Sequence, residues 1–180
     1  MIKTFSDNHN AKPTKMPSHP VAAVAIIRVS MPEDSFLLLR RNSNPRDPWS
    51  GHFSFPGGRW EEQDSDLLVT CTRETYEETG ITLTSEAVQG KLPARYAGSR
   101  VNSLILVQPF VFKLNERPPL TLAAAEIQSY CWLTAESFQQ KKLHVEAQVL
   151  PDRYAPAFPI DDYYLWGFTY GLLKNVLEIE

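Results

Sequence analysis

The chain predicts a mixed fold, an α/β (α+β) sandwich rather than an all-α or all-β domain. Two observations predict it. Strand-like and helix-like segments follow one another as strands, helix, strands, helix, with no internal repeat. The 180 residues, 43% hydrophobic and 22% charged, are enough for one domain with its own core.

Residues 1–19 are polar and read as a mobile lead-in, which leaves 20–180 as a single domain. Residues 21–29, VAAVAIIRV, are nearly continuous and β-branched, as a buried strand requires. A Met-Pro-Glu-Asp turn leads to FLLLR at 36–40, so the two runs read as a hairpin or neighbouring pair. Residues 41–58 form a Pro/Gly/Asn loop too long for a simple connector, and such loops often carry function. Asp64 or Ser65 is placed to cap a helix from about 66 to 79, with Gly80 where a C-terminal glycine belongs. Residues 101–113 read as a strand in which Pro109 marks a bulge or edge. Residues 127–133 read as another strand, and Thr134 as the cap of a short helix through 140. The last segment, 163–179, has apolar residues at helical spacing and reads as a packing helix.

Composition narrows the partners. A net charge of −3 gives no broad electrostatic footprint for nucleic acid, so an anionic substrate needs local arginines or a bound cation. Two cysteines, Cys71 and Cys131, exclude a disulfide scaffold and the usual Cys-rich zinc site, and they read as buried thiols. No apolar run reaches membrane-spanning length and the N-terminus does not read as a secretory signal, so no membrane is involved and the cytoplasm is the simplest address.

The chemistry concentrates in Arg73-Glu74-Thr75-Tyr76-Glu77-Glu78-Thr79-Gly80. On a helix Glu74, Glu77 and Glu78 stand at i, i+3 and i+4 and project from one face. Three carboxylates there repel one another, near a helix end whose dipole also disfavours them. A divalent cation would relieve both costs, and all-oxygen ligands favour Mg²⁺ or Mn²⁺ over zinc. Arg73 is placed to orient one of the carboxylates. A solvated acidic face explains the cluster taken alone. The preceding Phe55-Pro56-Gly57-Gly58 shifts the balance, because a double glycine lets backbone approach closely and share a cation with the helix.

These residues resemble the Nudix hydrolase signature, G-x5-E-x7-R-E-U-x-E-E-x-G-U with U apolar. Gly58, Arg73, Glu74, Glu77, Glu78, Gly80 and Ile81 match; Asp64 replaces the first glutamate with one extra residue before Arg73, and Thr75 replaces the apolar U. The loop Gly51 to Gly58 resembles the G-x3-F-P-G-G of the bacterial coenzyme A pyrophosphatase-like branch, with Arg46 displaced by one residue from that branch's pattern. The resemblance covers about residues 21–178. It implies an α/β/α sandwich around a mixed β-sheet and Mg²⁺- or Mn²⁺-dependent hydrolysis of a small-molecule diphosphate. It also implies metal ligands Glu74, Glu77 and Glu78 with the Gly58 carbonyl, and a general base at Glu74 or Glu126. Arg40, Arg41, Arg46 and Arg59 flank the glycine loop where they could reach phosphate, and Trp49 could stack on a base. Phe53 and Phe55 read as core, and His52 as structural or incidental. Coenzyme A or an acyl derivative is the first substrate expected, with ADP-ribose, NADH or a nucleoside diphosphate sugar as alternatives. A non-catalytic nucleotide-sensing module is the alternative of another class, and a homodimer is left open.

Overall fold

A computed structural model describes residues 18–44, 50–98 and 104–179. Most of the expected lead-in, together with Arg46 and Trp49, lies outside the described residues.

The main sheet is built on strand β1 (Ala22–Met31), whose whole length pairs in parallel with β7 (Ile105–Glu116). The opposite edge of β1 has two partners. Near its end it pairs with β2 (Ser35–Arg41) through Arg28–Phe36 and Val29–Ser35, and at its start with β4 (Gly57–Arg59). The far end of β2 pairs with the short β3 (Phe53–Ser54). Residues 53–59 therefore lie between the separated ends of β1 and β2, and Ala25 N donates to Pro56 O at 2.8 Å. Strand β8 (Ile127–Thr134) closes the outer edge of β2, while β5 (Val88–Lys91) and β6 (Arg95–Ala97) share the outer edge of β7.

Pro109 sits inside this sheet, not at a bulge or an end of its strand. It falls opposite the gap between β5 and β6, where no ladder N–H is needed; its carbonyl accepts from Leu92 N at 3.1 Å.

Alternation along the strands divides the core between two faces. Ala23, Ala25, Ile27, Leu37 and Leu39 point to helix α1 (Leu67–Thr79) and its buried Cys71. Ile26, Phe36 and Leu38 point to the other face, covered by α2 (Ala135–Gln139), α3 (Gly167–Val176) and a second sheet of β9 (Val145–Leu150), β10 (Arg153–Ile160) and β11 (Tyr163–Trp166). Phe53 and Phe55 are buried in this second core, as expected. The result is the α/β/α sandwich with a mixed sheet.

Two boundaries differ from the sequence reading. The segment from 163 begins as strand β11 and turns helical only at Gly167, whose φ of 67° suits glycine. Tyr163–Trp166 is extended because β10 supplies it with a ladder, a partner that apolar spacing cannot reveal. The other two strands of the small sheet, β9 and β10, fall where the sequence named no element. Its central strand tolerates Pro156 and Pro159 because the first half of β10 pairs with β9 and the second half with β11, leaving each proline one unpaired flank.

Candidate active site

Helix α1 is capped by Asp66, not by Asp64 or Ser65. The Asp66 carboxylate accepts from Leu68 N at 2.8 Å and Val69 N at 2.9 Å. At the other end Gly80 adopts φ 73° and donates to Tyr76 O at 2.7 Å, as its position predicts.

Asp64 is occupied elsewhere. Its carboxylate is buried and accepts from Arg73 Nε and Nη2, both at 2.9 Å, from Glu61 N at 3.0 Å and from Thr70 Oγ1 at 2.8 Å. The hydrogen-bonded guanidinium holds this carboxyl well below the usual carboxylate range. Arg73 Nη1 reaches onward to Glu74 at 3.1 Å and Glu77 at 3.0 Å. Asp64 thus fixes the arginine that orients two of the helix carboxylates. Thr75, the other departure from the signature, is fully buried, and its hydroxyl donates to Cys71 O at 2.7 Å, so it fills an apolar position with its polar atom satisfied.

The double glycine is required at both positions. A Cβ on Gly57 would land on Ala23 O of the adjacent strand, and its φ of 145° favours glycine independently. A Cβ on Gly58 would fall on the carboxylate of Glu74. Gly57 N donates to Glu78 Oε2 at 3.0 Å, and Arg41 approaches Glu78 Oε1 at 3.7 Å. Glu78 is only 4% exposed, and burial pushes its carboxyl up to about 8 against those two opposing contacts. Burial also raises Glu74, which stands near Glu77 and Glu126.

These groups meet a cavity of about 680 Å³. Glu74, Glu78 and Glu126 line it, with Gly57, Gly58, Arg41 and Arg59 at the same wall. The floor is apolar and carries Ala22, Ala97, Ile105, Val107 and Phe168, while Arg95, Arg153, His52 and Trp166 also face the space.

The predicted residues are distributed unevenly around it. Glu74, Glu78, Glu126, Gly58 and Arg59 come together at the cavity. Glu77 is outside the lining, its side chain 54% exposed and bound to Arg73. Arg40 is also outside it: the guanidinium pairs with Asp162 and lies over the rings of Phe53 and Tyr163. Arg41, weighed with the loop arginines, lines the cavity, and Arg95 and Arg153 are the cavity arginines that sequence reasoning missed, since they carry no local motif. His52 lines the cavity, stacked on Tyr163 at 6.1 Å between ring centroids and edge-on to Trp166 at 4.9 Å.

Among the described residues no three His, Cys, Asp or Glu side chains form a ready-made metal cage. The donor set nevertheless suits a hard cation: carboxylate and carbonyl oxygens, one of them on the buried acid Glu78, whose burial outweighs the Arg41 guanidinium 3.7 Å away.

An α/β/α sandwich that delivers an acidic helix to a cavity through a double-glycine strand defines a class of hydrolases. The NUDIX domain model matches residues 19–153, and the chain belongs to that family. Its enzyme class is that of Nudix hydrolases, which act on pyrophosphate bonds and generally use divalent metals such as Mg²⁺ or Mn²⁺. The chain is similar to the uncharacterized Nudix hydrolase NudL of Yersinia enterocolitica, at 28% identity over 162 residues that cover 87% of this chain and 80% of that one. An uncharacterized protein of Schizosaccharomyces pombe is 38% identical over 100 residues, 53% of this chain, and the chain spans 30% of that relative's length. Among solved structures, the NUDIX domain of Shewanella oneidensis NrtR complexed with ADP ribose shares the fold, with a TM-score of 0.63 over 95% of this chain and 93% of that one at 16% identity. The MutT protein of Methanosarcina mazei Go1 is 29% identical, with a TM-score of 0.50 over 68% of this chain and 83% of that one. No helix among the described residues is long and apolar enough to cross a membrane.

Proposed function

We infer that this chain hydrolyses the diphosphate bond of a nucleoside diphosphate derivative, with coenzyme A or an acyl-coenzyme A as the first substrate, and that residues 20–180 form the single domain that does so in the cytoplasm. One observation carries the reading: Glu74 and Glu78 reach the same cavity wall as the Gly57-Gly58 backbone. The G-x3-F-P-G-G loop supports the coenzyme A branch.

In this reading Glu74, Glu77 and Glu78 with the Gly58 carbonyl hold Mg²⁺ or Mn²⁺. Such a cation neutralises diphosphate charge and makes water more acidic. Arg73, tied to Asp64, keeps Glu74 and Glu77 in place. Arg59 binds a phosphate oxygen, with Arg41 beside it at the same wall. Water oxygen bonds to one phosphorus as the bridging P–O bond breaks, giving two phosphate monoesters. A carboxylate removes the water's proton. Glu126 suits that task, being exposed at the cavity, and Glu74 is the other base in reach of the same wall.

A substrate panel with the purified chain and Mg²⁺ tests this: coenzyme A, acetyl-coenzyme A, ADP-ribose, NADH, UDP-glucose and a nucleoside triphosphate, with products separated by chromatography. Coenzyme A cut to 4′-phosphopantetheine and 3′,5′-ADP well ahead of the others supports the branch. A faster dinucleotide or sugar nucleotide keeps the chemistry and overturns the substrate. No Mg²⁺-dependent cleavage anywhere would favour a nucleotide sensor.

A further inference from the structure

The arginines of the described residues divide sharply. Arg28, Arg40, Arg41, Arg73 and Arg117 each have a carboxylate within ion-pair distance. Among the described residues Arg59, Arg95 and Arg153 have none, and all three line the cavity described above.

Sheet register separates them. Arg59 pairs with Ala22, Ala22 with Val107, and Val107 with Arg95, so Arg59 and Arg95 stand at the two ends of one row on one face. That row crosses three strand spacings, roughly 14 Å between Cα atoms at about 4.8 Å each. The small apolar side chains of Ala22 and Val107 lie between. At the far end Arg95 Nη1 packs on α3 at Gly171, where a Cβ would sit 3.8 Å away. Arg153 lies over the Trp166 ring at the start of the same helix, 5.8 Å from its centroid. The cavity's carboxylates, Glu74, Glu78 and Glu126, all belong to the Arg59 end's machinery or its strand-loop neighbour, and none pairs with Arg95 or Arg153.

We propose that Arg95 and Arg153 form a second anion subsite, which takes a phosphate monoester carried by the nucleoside part of the substrate. This rests on the diphosphate lying at the Glu74–Arg59 end. Two phosphates joined by a single bridging oxygen do not span the row, whereas a nucleoside laid across the apolar floor does. Two unpaired guanidiniums beside an apolar floor are matched by a doubly charged phosphate monoester, which each can engage in a fork. The site therefore selects nucleoside diphosphate derivatives with an extra phosphate on the ribose over those without it.

Calorimetry on the full chain, without metal or turnover, tests the subsite directly with adenosine 3′,5′-bisphosphate against adenosine 5′-monophosphate. The bisphosphate is expected to bind at least roughly tenfold more tightly, the scale of a charge-assisted hydrogen bond or two. R95Q and R153Q are each expected to bring that ratio toward one, while K91Q, outside the lining, keeps it. Equal binding of the two nucleotides, or a ratio that survives both cavity substitutions, overturns the subsite. A companion assay compares kcat/KM for coenzyme A and its 3′-dephospho form. Hydrolysis of neither, with the binding ratio intact, overturns the diphosphatase reading and leaves the subsite standing. Equal hydrolysis of both, with a binding ratio of one, does the reverse.

Discussion

The carboxylate of Asp64 takes both arms of the Arg73 guanidinium, Nε on Oδ1 and Nη2 on Oδ2, each at 2.9 Å. Nine residues apart in sequence, the two form the bracket that holds the acidic face of α1 in register with the glycine strand, since Arg73 Nη2 also donates to Arg59 O at 3.3 Å. An Asp in place of the signature's glutamate, with one more residue in the spacer, thus has a defined structural task.

Asp64→Ala is expected to destabilise the fold by about 3 kcal/mol, because it leaves a largely buried guanidinium without its main partner. For a domain of this size that lowers Tm by roughly 6–12 °C. Thermal unfolding followed by circular dichroism checks it. A shift within about 1 °C would show that Glu74 and Glu77 alone suffice to hold Arg73.

The two glycines are expected to fail differently. In Gly57→Ala the new methyl meets backbone of β1, which cannot move without opening the sheet, so soluble folded protein is lost. In Gly58→Ala it meets the end of the Glu74 side chain, which can swing away. That variant is expected to fold and to lose at least roughly tenfold in turnover. Parallel melting curves and rate measurements separate the two; a G57A protein as stable as the parent contradicts the close approach.

Glu78 makes stability depend on pH in the metal-free protein. Its carboxyl titrates near 8 when folded and near the ordinary value of about 4.3 when unfolded, so the folded state binds more protons between those values. Its contribution is fully present below the unfolded value and is lost as pH rises through about 8. Denaturation in chelator should therefore show stability falling from pH 5 to pH 8, and Glu78→Gln should flatten that slope. Added Mg²⁺ should recover more stability at pH 8 than at pH 5, because only the ionised carboxylate binds it well. A Glu78→Gln protein with the parent's slope would place the titration elsewhere.

Glu77→Gln is expected to lower turnover by roughly two orders of magnitude or more while shifting Tm little, since the half-exposed side chain leaves no cavity behind. An unchanged rate would remove Glu77 from the metal site. Glu126→Gln is expected to cost roughly 10²–10⁴ in rate if it takes the water's proton. A near-normal rate would leave that task to Glu74.

Local spacing was enough to locate helix 66–79, its glycine stop, the first two strands and the acidic triplet, because 3.6- and 2-residue periods and φ-positive turns are properties of short segments. It also marked Phe53 and Phe55 as core. It misassigned the cap to Asp64 or Ser65, since a carboxylate two residues upstream competes for the same reading until Arg73 is seen to claim it.

The remainder belongs to contacts across the chain. Tyr163–Trp166 is a strand only because β10 lies beside it, and Pro109 is tolerated inside a sheet only because two short strands leave a gap opposite. Arg40 and Arg41 are adjacent in sequence, yet they serve opposite sides of a strand: one is tied to Asp162, and the other reaches Glu78 at the cavity. Arg95 and Arg153 reach one cavity from elements 58 residues apart that share no motif. Sequence by itself determined the family signature and the acidic helix, since both reside in short-range order. Tertiary structure alone decided which arginines face the cavity, because strand pairing sets side-chain direction through partners distant in the chain.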